Sequence, residues 1–139
     1  MIFFQNISKT YQLGTKPIYA LADVSFEVKP KEFVSIVGRS GAGKTTLLKL
    51  LLAEEKPSSG LILFNSEDVH KIKPEKLHKF RREIGVVFQD YKLFPSKTTK
   101  ENIAYVMEVM GASDEEIKND LANVLDIVEL TDRADSFPE

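Results

Sequence analysis

Gly38-Arg39-Ser40-Gly41-Ala42-Gly43-Lys44-Thr45 has the spacing G-x-x-x-x-G-K-[ST], and the fold turns on it. Before it stands Phe33-Val34-Ser35-Ile36-Val37, an almost unbroken apolar and β-branched run, the composition of a strand buried in a parallel sheet. After it, residues 44–53 hold strong helix formers with no Gly or Pro. Strand, glycine loop and helix in that order are the context this spacing requires. Its physics is local. Glycines let the backbone curl around phosphate oxygens with its N–H groups turned inward, and the helix N-terminus adds a fixed partial positive charge. Lys44 is expected to reach the β/γ-phosphates as a mobile point charge and the Thr45 hydroxyl to ligate Mg²⁺. A chance match in a chain of this length is on the order of half a per cent.

Ile2 to Ile7 reads as a short strand, and Val24, Phe26 and Val28 alternate with Asp23, Ser25 and Glu27 at period two. Pro57-Ser58-Ser59-Gly60 stops the first helix, and Leu61-Ile62-Leu63-Phe64 follows as a strand. Residues 71–82 form a basic helical stretch leading into Ile84-Gly85-Val86-Val87-Phe88, a second strand of buried type that ends at Gln89. A helix is expected over 101–110. A second opens with the capping box Ser113-x-x-Glu116 and carries Ile117, Leu121, Val124, Leu125 and Val128 on one face. The pattern predicts an α/β fold of the P-loop NTPase class, with no internal repeat.

Composition narrows the function. The chain has 139 residues, 42% hydrophobic, and no cysteine, which removes disulfides, thiolate metal sites and cysteine nucleophiles. No apolar run approaches the ~20 residues of a membrane span, and the N-terminus lacks a signal peptide's features, so a cytoplasmic location is expected. The net charge of −2 divides into 17 basic and 12 acidic residues over 1–110, against 2 and 9 over 111–139. That split argues against nucleic-acid binding by the tail, and the basic excess over 1–110 is spread over many loops as a solvated mixed-charge surface, so no nucleic-acid partner is expected. His70 and His78 read as solvated residues in a basic stretch.

Several separate stretches together resemble the N-terminal part of an ATP-binding cassette (ABC) ATPase domain. The resemblance covers essentially the whole chain. It implies an N-terminal antiparallel β part, a P-loop strand-helix core up to Gln89-to-Pro95 (1–95), and the start of the helical subdomain (96–139), incomplete at the C-terminus. It assigns nucleotide contacts to Gly38, Arg39, Ser40, Gly41, Ala42, Gly43, Lys44, Thr45 and Thr46. Tyr11 matches the aromatic position that stacks on adenine, a task suited to a flat π-face. Gln89 matches the glutamine that joins Thr45 at Mg²⁺ and links the site to a partner-facing surface. The cofactors implied are ATP and Mg²⁺.

Within the family, the stretch Phe80 to Pro95, and Asp90-Tyr91-Lys92 above all, is most similar to the FtsE branch of bacterial cell-division ATPases. That similarity implies an FtsX-like integral membrane partner, a homodimer through the nucleotide sites when complete, and a peripheral position on the inner face of the cell membrane. ATPase subunits of lipoprotein-release or macrolide exporters are the close alternative, and a non-catalytic nucleotide-binding fragment is another. Lys31, where relatives usually have Gly, and Thr99, where they usually have Val, depart from the pattern.

The family's L-S-G-G-Q signature, its Walker B Asp-Glu pair and its switch histidine do not occur among these residues. No catalytic residue is therefore assignable beyond Lys44 as a source of transition-state charge. Phosphoryl transfer also needs a positioned nucleophile. The expectation is that the 139 residues bind ATP without hydrolysing it alone.

Overall fold

β1 (Ile2–Leu13) and β2 (Lys16–Val28) form a long antiparallel hairpin closed by Gly14 and Thr15, with Gly14 at the positive φ such two-residue turns require. The computed structural model describes residues 1–138. β3 (Ser59–Phe64) pairs with the other edge of β1, and the two-residue β4 (Glu67–Asp68) with β3. The sheet is thus antiparallel throughout, in the order β2-β1-β3-β4. A bulge interrupts β1 between Phe4 and Ile7, where Asn6 takes a φ of 49°, and Asp23 across the hairpin takes 51°. The extra residue brings Phe4 and Ile7, three apart, onto the same buried face. The Asn6 amide closes the bulge by donating to Asp23 Oδ1 at 2.8 Å.

Against that face lies α1 (Lys44–Leu51), whose Leu47, Leu50 and Leu51 join Phe4, Ile7, Leu21, Ile62, Val69 and Phe80 in one core. A short 3₁₀ turn (Val69–Lys71) leads to α2 (Pro74–Arg82), which begins on a proline and buries Phe80 edge-on to Phe64. Arg81 ties α2 to the end of α1 through the Leu52 and Ala53 carbonyls, at 2.9 and 3.1 Å.

The chain divides into two compact units, residues 1–85 and residues 86 onward. The second unit holds α3 (Thr99–Met110) and α4 (Asp114–Ile127), each opened by a complete capping box: Thr98 with Glu101, and Ser113 with Glu116. Ile117 and Leu125 are buried on the face of α4 that the periodicity marks. Within this unit Asn102 is buried and fastens the preceding loop: its Oδ1 accepts from the Phe94 N–H at 2.8 Å, and its Nδ2 donates toward the carbonyls of Phe94, Lys97 and Thr98.

Two expected strands do not form. Residues 33–37 and 84–88 are irregular, and Phe33, Val37 and Val87 are 94%, 86% and 96% exposed. A strand of parallel type hydrogen-bonds only to flanking strands, and no strand of this sheet takes either run as a ladder partner. Their composition is that of buried strands, but composition does not supply the neighbour. The helix expected over 44–53 ends at Leu51, because Ala53 turns to a φ of 51°.

Candidate functional site

The glycine loop is shaped by what lies behind it. Gly43, the residue that caps α1, has a φ of 87°, and a Cβ there would overlap the carbonyl oxygen of Ala20 on β2 and approach Leu21 Cδ2 to 2.9 Å. Only glycine meets both demands. Gly41 is also left-handed, and the Ala42 N–H donates to the Arg39 carbonyl at 3.1 Å, so residues 39–42 curl into a tight turn. No side chain caps the N-terminus of α1, and its first turn holds no acidic residue. Its free N–H groups and partial positive charge are uncompensated by the protein, the condition in which an anion is held.

Lys44 spans this turn. Its Nζ donates to the carbonyls of Gly38 at 2.7 Å and Arg39 at 2.9 Å, so the ammonium lies over the loop it is expected to share with phosphate. Arg39, Ser40, Gly41, Ala42 and Thr45 are exposed, and Thr46 is half-buried. Among the described residues the Thr45 hydroxyl has no protein hydrogen-bond partner, which leaves it available as a ligand for a hard cation. These observations fit an ATP–Mg²⁺ complex. Beside the loop, a cavity of about 540 Å³ opens between β2, residues 32–37 and α1, with apolar walls that include Val24, Phe26, Ile36 and Leu47.

Tyr11 stands in the same unit. It pairs with Ile18 on β2, and Ala20, whose carbonyl backs Gly43, is two residues further along, about 7 Å of strand. Its hydroxyl donates to Glu55 Oε2 at 2.6 Å. Lys9 Nζ lies 5.0 Å from its ring centroid and 3.2 Å from the same carboxylate, while Lys49 approaches Glu55 at 3.5 Å. The Tyr11 hydroxyl, followed by Lys9 and Lys49, holds the Glu55 carboxyl below its ordinary value against the opposing effect of burial. The family resemblance names Tyr11 but not Glu55, and no local spacing could name Glu55, because this contact joins residues 44 apart in sequence.

Gln89 lies in the second unit, exposed in a turn where the Tyr91 N–H donates to the Phe88 carbonyl at 3.2 Å. Tyr91 and Lys92 follow with left-handed backbones at 54° and 52°. Lys92 pairs with Asp90 and holds that carboxyl below its ordinary value.

The histidines differ from each other. His78 is exposed on α2 as expected, but His70 is partly buried, and its Nε2 is fully enclosed with no hydrogen-bond partner. The basic stretch concealed this, because Val69, beside it, anchors the 3₁₀ turn in the core. Burial pushes the His70 imidazole down from its ordinary value, with Asp68 acting in the opposite sense. Among the described residues no three His, Cys, Asp or Glu side chains gather as a metal cluster, and no helix is long and apolar enough to cross a membrane.

The sequence pattern of the family described as ABC transporter matches residues 21–138. The chain is similar over all its 139 residues to the cell division ATP-binding protein FtsE of Bacillus subtilis, at 45% identity, and to the methionine import ATP-binding protein MetN 1 of Bacillus thuringiensis, at 39%. It spans 60% of the first relative's length and 41% of the second's. Among solved structures it resembles the dimeric, post-hydrolysis ATP-binding cassette MJ0796 bound to ADP and Pi, with a TM-score of 0.88 and 34% identity, covering 99% of this chain and 62% of that one. The fold is therefore the α/β cassette fold in part. By its phosphate loop, its fold and this match, the chain belongs to the ABC transporter family.

Proposed function

We propose that the chain binds ATP with Mg²⁺ through residues 38–46, and that in the complete polypeptide this site hydrolyses ATP to drive a membrane partner. One observation carries the reading. Lys44, two left-handed glycines and an uncapped helix N-terminus converge on one turn with no acidic residue in the helix's first turn to compete for them. Backbone N–H groups of the loop and of α1 bind the phosphate oxygens, and Lys44 exchanges the Gly38 and Arg39 carbonyls for the β/γ-phosphates. Thr45 would hold the metal; when bound, Mg²⁺ neutralises charge on the transferred phosphoryl group. Tyr11 offers its ring to adenine.

These 139 residues contribute the cradle and not the group that positions water, so they bind ATP without turning it over. Lys44→Ala is expected to abolish ATP binding measured by titration calorimetry on the 139-residue chain, and retained tight binding would refute the assignment. Steady-state phosphate release by the same chain tests the second statement.

The partner reading follows the FtsE similarity, the higher of the two identities, together with Asp90-Tyr91-Lys92: an FtsX-like integral membrane protein in cell division, with the cassette dimerising through its nucleotide sites and held at the inner face of the membrane. The dimeric cassette among the structural relatives supports the dimer. Methionine import is the second reading, favoured by MetN relatives at 39% identity. An exporter role in lipoprotein release or macrolide efflux is a further alternative within the family. Mass spectrometry of membrane proteins co-purified with the complete protein separates them: an FtsX-like protein supports the first reading, and an import or export permease replaces it.

A further inference from the structure

Tyr11 is fixed at two points rather than standing free on its strand. Its hydroxyl is tied to Glu55 at 2.6 Å, and the Lys9 ammonium covers one face of the ring, 5.0 Å from the centroid. The support is itself braced. Lys9 Nζ also donates to the Lys56 carbonyl at 2.8 Å, Glu55 is paired with Lys9 and Lys49, and the backbone N–H groups of Glu54 and Glu55 donate back to the Lys49 carbonyl near the end of α1. The helix that carries the phosphate loop at its first turn thus carries, just beyond its last, the carboxylate that anchors the aromatic ring.

We propose that Glu55 is a positioning residue for base recognition: through the Tyr11 hydroxyl it holds the phenol as a preformed platform, Lys9 occupies one face, and the purine stacks on the other. This rests on the nucleotide-binding reading above. A tyrosine held in one rotamer loses less freedom when a base stacks on it, so the anchoring strengthens binding of the base and leaves the phosphates untouched. A carboxylate with a mainly structural role would affect every ligand of the loop alike.

The test compares ATP with inorganic tripolyphosphate, which has the phosphates and no base, on the 139-residue chain. Glu55→Ala is expected to weaken ATP about three- to tenfold and leave tripolyphosphate unchanged. Tyr11→Phe, which keeps the ring and loses the hydroxyl, should weaken ATP by a similar factor. The double variant should be no weaker than either single one, because both remove the same contact. Glu55→Gln, whose amide oxygen still accepts from the phenol, should keep most of the affinity. Equal losses for both ligands, an unchanged or tighter ATP affinity in Glu55→Ala, or additive effects of the two substitutions would overturn the proposal. Should Glu55→Ala fail to fold by circular dichroism, Tyr11→Phe carries the comparison. Failure of the unaltered chain to bind either ligand would overturn the nucleotide reading itself, a result distinct from loss of base selectivity alone.

Discussion

Gly43 lies so close against Ala20 that a methyl group on it would overlap the Ala20 carbonyl oxygen. The N-terminus of α1 is thereby seated directly on β2, and the phosphate loop takes its position from the hairpin as well as from its own glycines. Gly43→Ala should cost at least about 2 kcal/mol, from the left-handed backbone and the steric overlap together. The measurement is urea unfolding followed by circular dichroism, with ATP binding expected to fall as well. An unchanged midpoint would mean that the hairpin and helix can part without cost.

Lys31 occupies a left-handed position with a φ of 65°, in a turn closed by the Glu32 N–H donating to the Lys29 carbonyl and the Glu32 carboxylate accepting from the Lys29 N–H. The resemblance implies a glycine at this position, and the backbone here has the left-handed conformation that glycine adopts without steric cost. Lys31→Gly should therefore stabilise the chain by about 0.5–1 kcal/mol, the relief of backbone strain exceeding the added freedom of the unfolded chain. The same unfolding experiment decides it, and destabilisation would show that the turn tolerates lysine without strain.

Asn102 satisfies both ends of its amide against the backbone of residues 94–98. Replacing it with alanine leaves the Phe94 N–H without its acceptor and should cost about 1–3 kcal/mol. Hydrogen exchange should show the loss of protection concentrated over residues 94–102, with residues 1–85 unaffected.

His70 provides a pH dependence whose sign follows from its burial. Its imidazole is pushed below the ordinary 6.5, so the folded chain binds fewer protons there than the unfolded chain does. The associated stability is complete above about pH 6.5 and is lost as pH falls toward and through the depressed folded-state value. Glu55, Glu101 and Glu116, held below their ordinary 4.5, lose their contributions only at lower pH. Urea midpoints measured between pH 7.5 and 5.5 should therefore fall in the unaltered chain and stay nearly level in His70→Gln.

The local parts of this molecule were legible in its sequence. The glycine turn before α1, the Ser113–Glu116 capping box and the apolar face of α4 depend on residues three to eight positions apart, and spacing of that kind survives in the sequence as a pattern. The Thr98–Glu101 box was equally local, and the same rule finds it. The bulge at Asn6 and Asp23 was not legible, because its register is set by a strand across the hairpin. Nor was the enclosure of His70, the anchoring of Tyr11 by Glu55, or the irregular path of residues 33–37 and 84–88. Local spacing alone is enough to specify a glycine turn that ends at Gly43 and opens a helix at Lys44. Which strands pair, what braces the turn and which carboxylate holds the aromatic ring emerge on folding alone, because ladder partners and buried contacts join residues distant in the chain, where neither propensity nor periodicity acts.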